Sequence, residues 1–451
     1  MTDVLASGID RAELDPAIRP HDDLYRHVNG RWVARTPIPA DKARYGSFMV
    51  LAEEAEKAVR EIIEQAQSAE PDTLEKKVGD LYASFMDSER IEALGTAPLA
   101  PLLAEVDAID SVDALLTTLG RLERRGVAGV VQLFVDNDPG DPERYLVFVE
   151  QGGIGLPDES YYRDDAHAET RAAYRGHVER MLALAGLDDA GARAERVIAL
   201  ETALAGHHWD KVRNRDAQAT YNLATWNDWA GSAAGIDLAL WRDGYGIPAT
   251  ALAEVVLRQP DFTAGLGVEL TGRDLAEWRD WLRFAVVRSM APYLSSAFVD
   301  ENFAFYGRTL TGAPELRARW KRGVALVERA MGEAVGQTYV DRHFRPEAKA
   351  AMDDLVATLI EAYRQSIETL EWMTPATRER ALDKLGKFTP KIGYPERWRD
   401  YSSLEIASDD LLANVQAAGE FEFQRELRKI GAPIDRDEWF MTPQTVNAYY
   451  N

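Results

Sequence analysis

Zinc-assisted hydrolysis is the first chemistry to test in a chain with seven histidines and no cysteine. The histidines are His21, His27, His167, His177, His207, His208 and His343. A catalytic zinc needs ligands held at about 2 Å, and two histidines at i and i+4 on one helix supply that geometry. No two of the seven stand four apart. His207 and His208 are adjacent, so they point to different helix faces and make poor co-ligands. His343 and Glu347 share helical spacing, but one such pair does not make a site. The histidines therefore read as structural. No Gly-x-Ser-x-Gly elbow and no Gly-x-x-x-x-Gly-Lys phosphate loop occurs. Gly152-Gly153-Ile154-Gly155 reads as a structural turn, since no lysine follows and Pro157 interrupts any helix start. Without cysteine, disulfides, thiolate zinc sites and a cysteine nucleophile are excluded.

The elements around these residues are mostly helical. The first fifty residues, with Tyr25, Trp32, Pro37, Pro39, Tyr45 and Phe48, read as an irregular segment packed on something larger. Leu51, Ala55, Val59, Ile62 and Ile63 then recur at helical spacing, and helical periodicity dominates to about Phe388. Residues 130–136 and 145–149 read as two strands around an Asp-Pro-Gly turn. Pro346 is placed to open a long helix running to Trp372, and Thr374-Pro375 to open the next, ending near Phe388. A further helix is predicted from about Asp409 to Ile430. Trp439 to Tyr450 is rich in aromatic and β-branched residues and reads as a short closing strand. Trp32, Trp372 and Trp398 read as core or domain-interface aromatics.

At 451 residues the prior is two or three domains. An apolar content of 46% with 28% charged residues is that of a soluble globular protein. The net charge of -23 argues against nucleic acid and anionic membrane partners. The N-terminus has neither a basic start nor an apolar stretch, and no apolar run approaches the roughly 20 residues of a membrane helix. A cytoplasmic location is expected, with non-classical secretion as the alternative.

Ordered signatures over nearly the whole chain resemble the neprilysin-like zinc metallopeptidases of family M13. Arg19 to Trp32 resembles the family's Asp-Phe-Tyr-x-x-Val-Asn-Gly-x-Trp opening, with Leu24 in place of phenylalanine. Arg44-Tyr45-Gly46-Ser47-Phe48 is similar to a segment that carries a substrate-facing arginine and an aromatic pocket residue. Gly155-Leu156-Pro157-Asp158 with Tyr161-Tyr162, and Arg215-Asp216 with Tyr221-Asn222, match further blocks. Gly336 to Val340 precedes Phe344. Trp372-Met373 leads through Lys391-Ile392-Gly393-Tyr394-Pro395 to Trp398 and Tyr401. Val446-Asn447-Ala448-Tyr449-Tyr450-Asn451 completes the series. Any one block is ordinary turn or aromatic chemistry; eight in this order are specific. The opening run is similar to soluble actinobacterial members.

The resemblance implies a predominantly α-helical fold with small β elements. Residues 51–395 would form a helical cap domain. Residues 1–50 and 396–451 would contribute to a thermolysin-like α/β catalytic lobe that is truncated here. It implies that Asn447, Ala448, Arg44, Phe48 and Tyr449 touch substrate. An extended peptide adding to a sheet edge meets main-chain groups and an amide side chain, and Asn447 offers donor and acceptor together. Ala448 would continue the ladder and let the peptide approach closely. Phe48 would line the pocket for the side chain after the cleaved bond. Arg44 would meet a carbonyl or terminal carboxylate bidentately. The animal enzymes carry a second arginine eight residues further on, where this chain has Ala52, so endopeptidase action on internal bonds is expected.

In the family a His-Glu-x-x-His helix follows the closing strand. The resemblance therefore implies that zinc and its ligands belong to the assembled enzyme and lie beyond these residues, with no catalytic or metal residue here. A split gene, a fragment of a longer protein and a degenerate relative would each account for this. An unpaired strand edge is a liability in solution, which favours a partner polypeptide or fragment bearing the zinc site, with peptides as substrates. The alternative is a catalytically inactive peptide-binding protein.

Overall fold

The structure is a computed structural model describing residues 10–450. Residues 1–9 and Asn451 lie outside the described residues. The fold is predominantly helical with one small sheet, as expected. The sheet has the order β1-β2-β4-β3. β1 (Val131–Asp138) and β2 (Asp141–Gln151) form the expected antiparallel hairpin. β4 (Glu254–Leu257) runs parallel to β2, and β3 (Leu223–Thr225) antiparallel to β4. β2 is covered on both faces, and residues 145–149 are buried without alternation.

Two apolar cores organise the helices. The larger one surrounds the helix Leu275–Met290, which buries Trp278, Trp281, Phe284, Val286 and Val287 on all sides. Ala168–Leu184, Ala190–His207 and Val112–Arg124 pack against it. The smaller core joins Ser47–Ala66, Leu74–Met86 and Arg319–His343 to Tyr401, Leu404, Leu411 and Phe421. Ala55, Val59, Ile62 and Ile63 face this core as their spacing predicts. Leu51, one turn earlier, is 50% exposed. No helix among the described residues is long and apolar enough to cross a membrane.

Pro346–Thr369 and Pro375–Gly386 form as predicted, the second capped by the Thr374 hydroxyl accepting from Thr377 N–H. The helix Leu411–Leu427 is capped in the same way by Asp410. Three expectations are corrected. The opening segment is not irregular throughout: Leu24–Arg35 is a helix with the Asp23 carboxylate at its N-cap. It lacks an apolar stripe facing a core and buries no residue, so periodicity did not reveal it. The helix from Pro346 stops at Thr369, and Trp372 is 72% exposed, so it is no core aromatic among the described residues.

The third correction concerns the chain end. Residues 439–450 form no strand. Strand geometry needs a neighbour to pair its amides and carbonyls, and no described strand lies beside this segment. Instead Thr442–Gln444 settles on the helix Arg319–His343. The Gln444 amide donates to the Gly332 carbonyl at 2.9 Å, one residue past a break in helical geometry at Met331. A Cβ at Gly332 would stand 2.8 Å from the Thr442 methyl, and one at Gly336 would stand 3.0 Å from Pro443 Cδ. Glycine leaves room for this close approach at both positions.

Glu123 is a buried polar strut between the larger core's helix Val112–Arg124 and the sheet. Its carboxylate accepts from Val130 N–H at 3.1 Å and from the Trp241 indole at 2.5 Å. Burial dominates over these two donors and pushes its pKa up to about 8.

Two predictions follow from this packing. The folded chain holds the Glu123 proton up to about pH 8, whereas an unfolded glutamate releases it near 4.5. Stability therefore falls as pH rises through that window, by up to ~1.4 kcal/mol per pH unit from this group. Glu123→Gln should flatten the slope in denaturant unfolding between about pH 5.5 and about pH 7.5; equal slopes would exclude the strut as its source. Second, Gly336→Val should cost about 1–3 kcal/mol at the docked tail by overpacking. Limited proteolysis within 442–449 should speed up while the melting of the cores holds. Unchanged cleavage would show that the close approach does not seat the tail.

Candidate functional site

The N-terminal group of predicted residues is set on an anchored arm. Gly46 is extended (φ -172°, ψ 177°) and the helix Ser47–Ala66 begins after it. This places Phe48 in the first turn, 68% exposed. Arg44 is also exposed and enters no ion pair among the described residues. Its neighbours are all tied down. Asp41 pairs with Lys321 at 2.8 Å, and the ammonium holds its carboxyl below the usual range. Lys42 and the Tyr45 hydroxyl both reach Glu53, at 3.0 and 2.8 Å. Trp32 stacks on Tyr45 at 6.3 Å. Ala52 is exposed one turn beyond Phe48.

The C-terminal group lies beyond the Gln444 anchor. Asn447, Ala448 and Tyr449 are exposed. Asn447 Oδ1 accepts from Ala448 N–H at 2.9 Å, a local side-chain bond that competes with ladder pairing. Tyr449 packs edge-on against Phe440 at 5.8 Å, and Tyr450 stacks on Phe388 at 6.1 Å.

No hydrogen bond, ion pair or ring contact joins Arg44 or Phe48 directly to Asn447, Ala448 or Tyr449 among the described residues. A common platform joins them instead. The Asp41 anchor and the Thr442–Gln444 anchor both sit on the helix Arg319–His343, at Lys321 and at Gly332. The two anchors lie on either side of the break at Met331. Sequence reasoning missed Lys321, Gly332, Gly336 and Gln444, because their significance lies in contacts between distant segments. Gly336 stood inside a quoted signature, yet nothing local marked it as a docking point.

The described residues do not fit a catalytic zinc. No group of three histidine, aspartate or glutamate side chains is placed to hold a metal among them. Most of the histidines have other partners. His177 Nδ1 lies 2.9 Å from Glu301, and His207 Nε2 lies 2.9 Å from Glu269. His208 Nε2 meets the Gly152 carbonyl at 2.8 Å, and burial pushes its pKa down to about 4. His27 Nδ1 meets the Ile18 carbonyl at 2.7 Å.

Comparison with known proteins identifies the family. The model for peptidase family M13, in its N-terminal part, matches residues 20–395. Neprilysin-3 of Drosophila melanogaster is 25% identical, with 99% of this chain and 61% of that protein covered. The crystal structure of Mycobacterium tuberculosis zinc metalloprotease ZMP1 in complex with inhibitor superposes with a TM-score of 0.94. It is 50% identical, with 99% of this chain and 68% of that one covered. PepO from Lactobacillus rhamnosis HN001 is 25% identical with a TM-score of 0.86, over 96% of this chain and 69% of its own. The chain thus spans about three fifths of the length of the Drosophila relative. A match over most of its residues, at this depth of structural agreement, establishes that the chain belongs to peptidase family M13.

Proposed function

We propose that this chain is the cap and substrate-holding portion of a neprilysin-like zinc endopeptidase whose zinc ligands lie outside these 451 residues. The observation that carries this reading is the shared platform. Two exposed groups, Arg44 with Phe48 and Asn447 with Ala448 and Tyr449, project from segments anchored at Lys321 and at Gly332 of the same helix. In this reading Asn447 and Ala448 pair with the peptide main chain beside the scissile bond. Phe48 receives the side chain after it, and Arg44 holds a carbonyl further along. Ala52 offers no second guanidinium, which favours internal bonds over release of C-terminal dipeptides.

Residues 51–395 act as the cap in this proposal. Residues 1–50 and 396–451 join a cytoplasmic catalytic lobe completed by the zinc-bearing polypeptide. Two exposed apolar faces supply its seat. Met352, Leu355, Leu359 and Tyr363 line one side of Pro346–Thr369, a helix with no buried residue. Leu24, Tyr25, Val28 and Val33 are exposed on Leu24–Arg35. Apolar stripes of this kind mark surfaces that another segment covers.

Two outcomes are expected. The purified chain alone should bind no stoichiometric zinc and cleave no peptide, and adding a polypeptide carrying the family's His-Glu-x-x-His should restore both. One tightly bound zinc per lone chain, with activity removed by chelator, would overturn the proposal. Restored activity should then fall roughly ten- to a hundredfold in kcat/KM for Asn447→Ala, the cost of one or two substrate hydrogen bonds. Unchanged kinetics in a folded variant would remove Asn447 from the site. Peptide binding without any restored cleavage would instead favour a binding protein derived from the fold.

A further inference from the structure

Arg44 stands on an arch whose two feet rest on one carboxylate. Lys42 and Tyr45 are half-buried, while Ala43 and Arg44 between them are exposed. Both inward side chains end on Glu53, in the second turn of the helix Ser47–Ala66. Glu53 Oε1 pairs with Lys42 Nζ at 3.0 Å, and Oε2 accepts from the Tyr45 hydroxyl at 2.8 Å. The Lys42 and Glu53 side chains are 18% and 21% exposed, so solvent screens this pair less than a fully exposed one. Burial pushes the Glu53 carboxyl up, but the bonds from Lys42 and Tyr45 outweigh it and hold the group below the usual carboxylate range.

No other hydrogen bond or ion pair among the described residues ties Lys42, Ala43, Arg44 or Tyr45 to that helix. The margins of the arch are held from elsewhere, by the stack of Trp32 on Tyr45 and by the Asp41–Lys321 pair. Phe48 is placed differently. It belongs to the first turn of the helix itself, so the helix backbone sets its position without Glu53. The relation of Arg44 to Phe48 therefore runs through one side chain.

We propose that Glu53 is the positioning residue for Arg44: it holds both feet of the arch to the helix that carries Phe48, and so sets where the guanidinium meets a bound peptide. This deepens the peptidase reading and rests on it for the identity of the ligand. A displaced guanidinium costs binding rather than chemistry, because in that reading Arg44 holds a carbonyl away from the scissile bond.

Two measurements test this, one on the chain alone and one on the enzyme assembled with a His-Glu-x-x-His polypeptide. In the chain alone, trypsin should cut after Lys42 and Arg44 at least about threefold faster in Glu53→Ala. The melting of the cores should hold, since alanine keeps the helix. In the assembled enzyme, Glu53→Ala should raise KM for an amide-terminated peptide about three- to tenfold with kcat within about twofold. Tyr45→Phe, which keeps the ring against Trp32 and removes one of the two bonds, should show the same split at smaller size. Added to Arg44→Ala, Glu53→Ala should cost less than about twofold more, whereas added to Phe48→Ala it should cost its full factor. An unchanged tryptic rate would overturn the proposal, and so would a KM penalty that is the same with and without Arg44. Faster cleavage with unchanged KM would also overturn it and leave the peptidase reading standing. An assembled parent without activity would instead overturn the peptidase reading, and the role of Glu53 with it.

Discussion

The close approach of Thr442–Gln444 to a helix with no side chain at positions 332 and 336 is the constraint on which the candidate site depends. A side chain at Gly332 or Gly336 would crowd Thr442 or Pro443 and strain the seat of the tail, on which the position of Asn447 depends. Gln444 completes the seat by donating to Gly332. The arm is held to the same helix by the Lys321–Asp41 pair, and Arg317, just before that helix, pairs with Glu56. The two parts of this helix, on either side of the break at Met331, therefore position two groups of exposed side chains that do not touch each other. This suits a ligand that supplies the connection itself, as an extended peptide would.

The approach to the tail is stiffened by charge as well as shape. Arg425 reaches Glu422 and Glu438, each at 2.6 Å, and Lys429 adds to Glu438 at 2.7 Å. Arg399 links Glu422 at 3.0 Å, and its backbone N–H donates to Glu333 at 2.8 Å. The network joins the segment after Pro395, the helix Leu411–Leu427 and the residues leading into the tail to the platform helix. Part-buried networks of this kind lose much more when one member is removed than any single pair contributes, because the remaining charges are left without partners.

What the sequence revealed and what it hid have different physical origins. The hairpin around Asp138–Asp141 and the helices opened by Pro346 and by Thr374-Pro375 were legible because their signals are local: turn chemistry, first-turn proline and a capping hydroxyl. The closing strand was misread because Val446, Tyr449 and Tyr450 carry strand propensity without a neighbouring strand to pair with. The helix Leu24–Arg35 was missed because its apolar residues sit among turn-signalling and charged neighbours, and they face no core among the described residues. The platform could not be read at all. Gly332 and Gln444 are 112 residues apart, and a glycine in a helix does not name the segment that will lie on it. The five residues of the arm and tail entered through family resemblance, and their exposure beside anchored neighbours is what the structure adds.

Hydrogen exchange on the chain alone, and on the chain mixed with a polypeptide carrying the family's His-Glu-x-x-His, tests the central claim most directly. The account predicts a 1:1 complex in which the amides of Pro346–Thr369, Leu24–Arg35 and the tail from Thr442 onward gain protection together. A lone chain that is a stable monomer, with those segments already protected and unchanged by the added polypeptide, would contradict it.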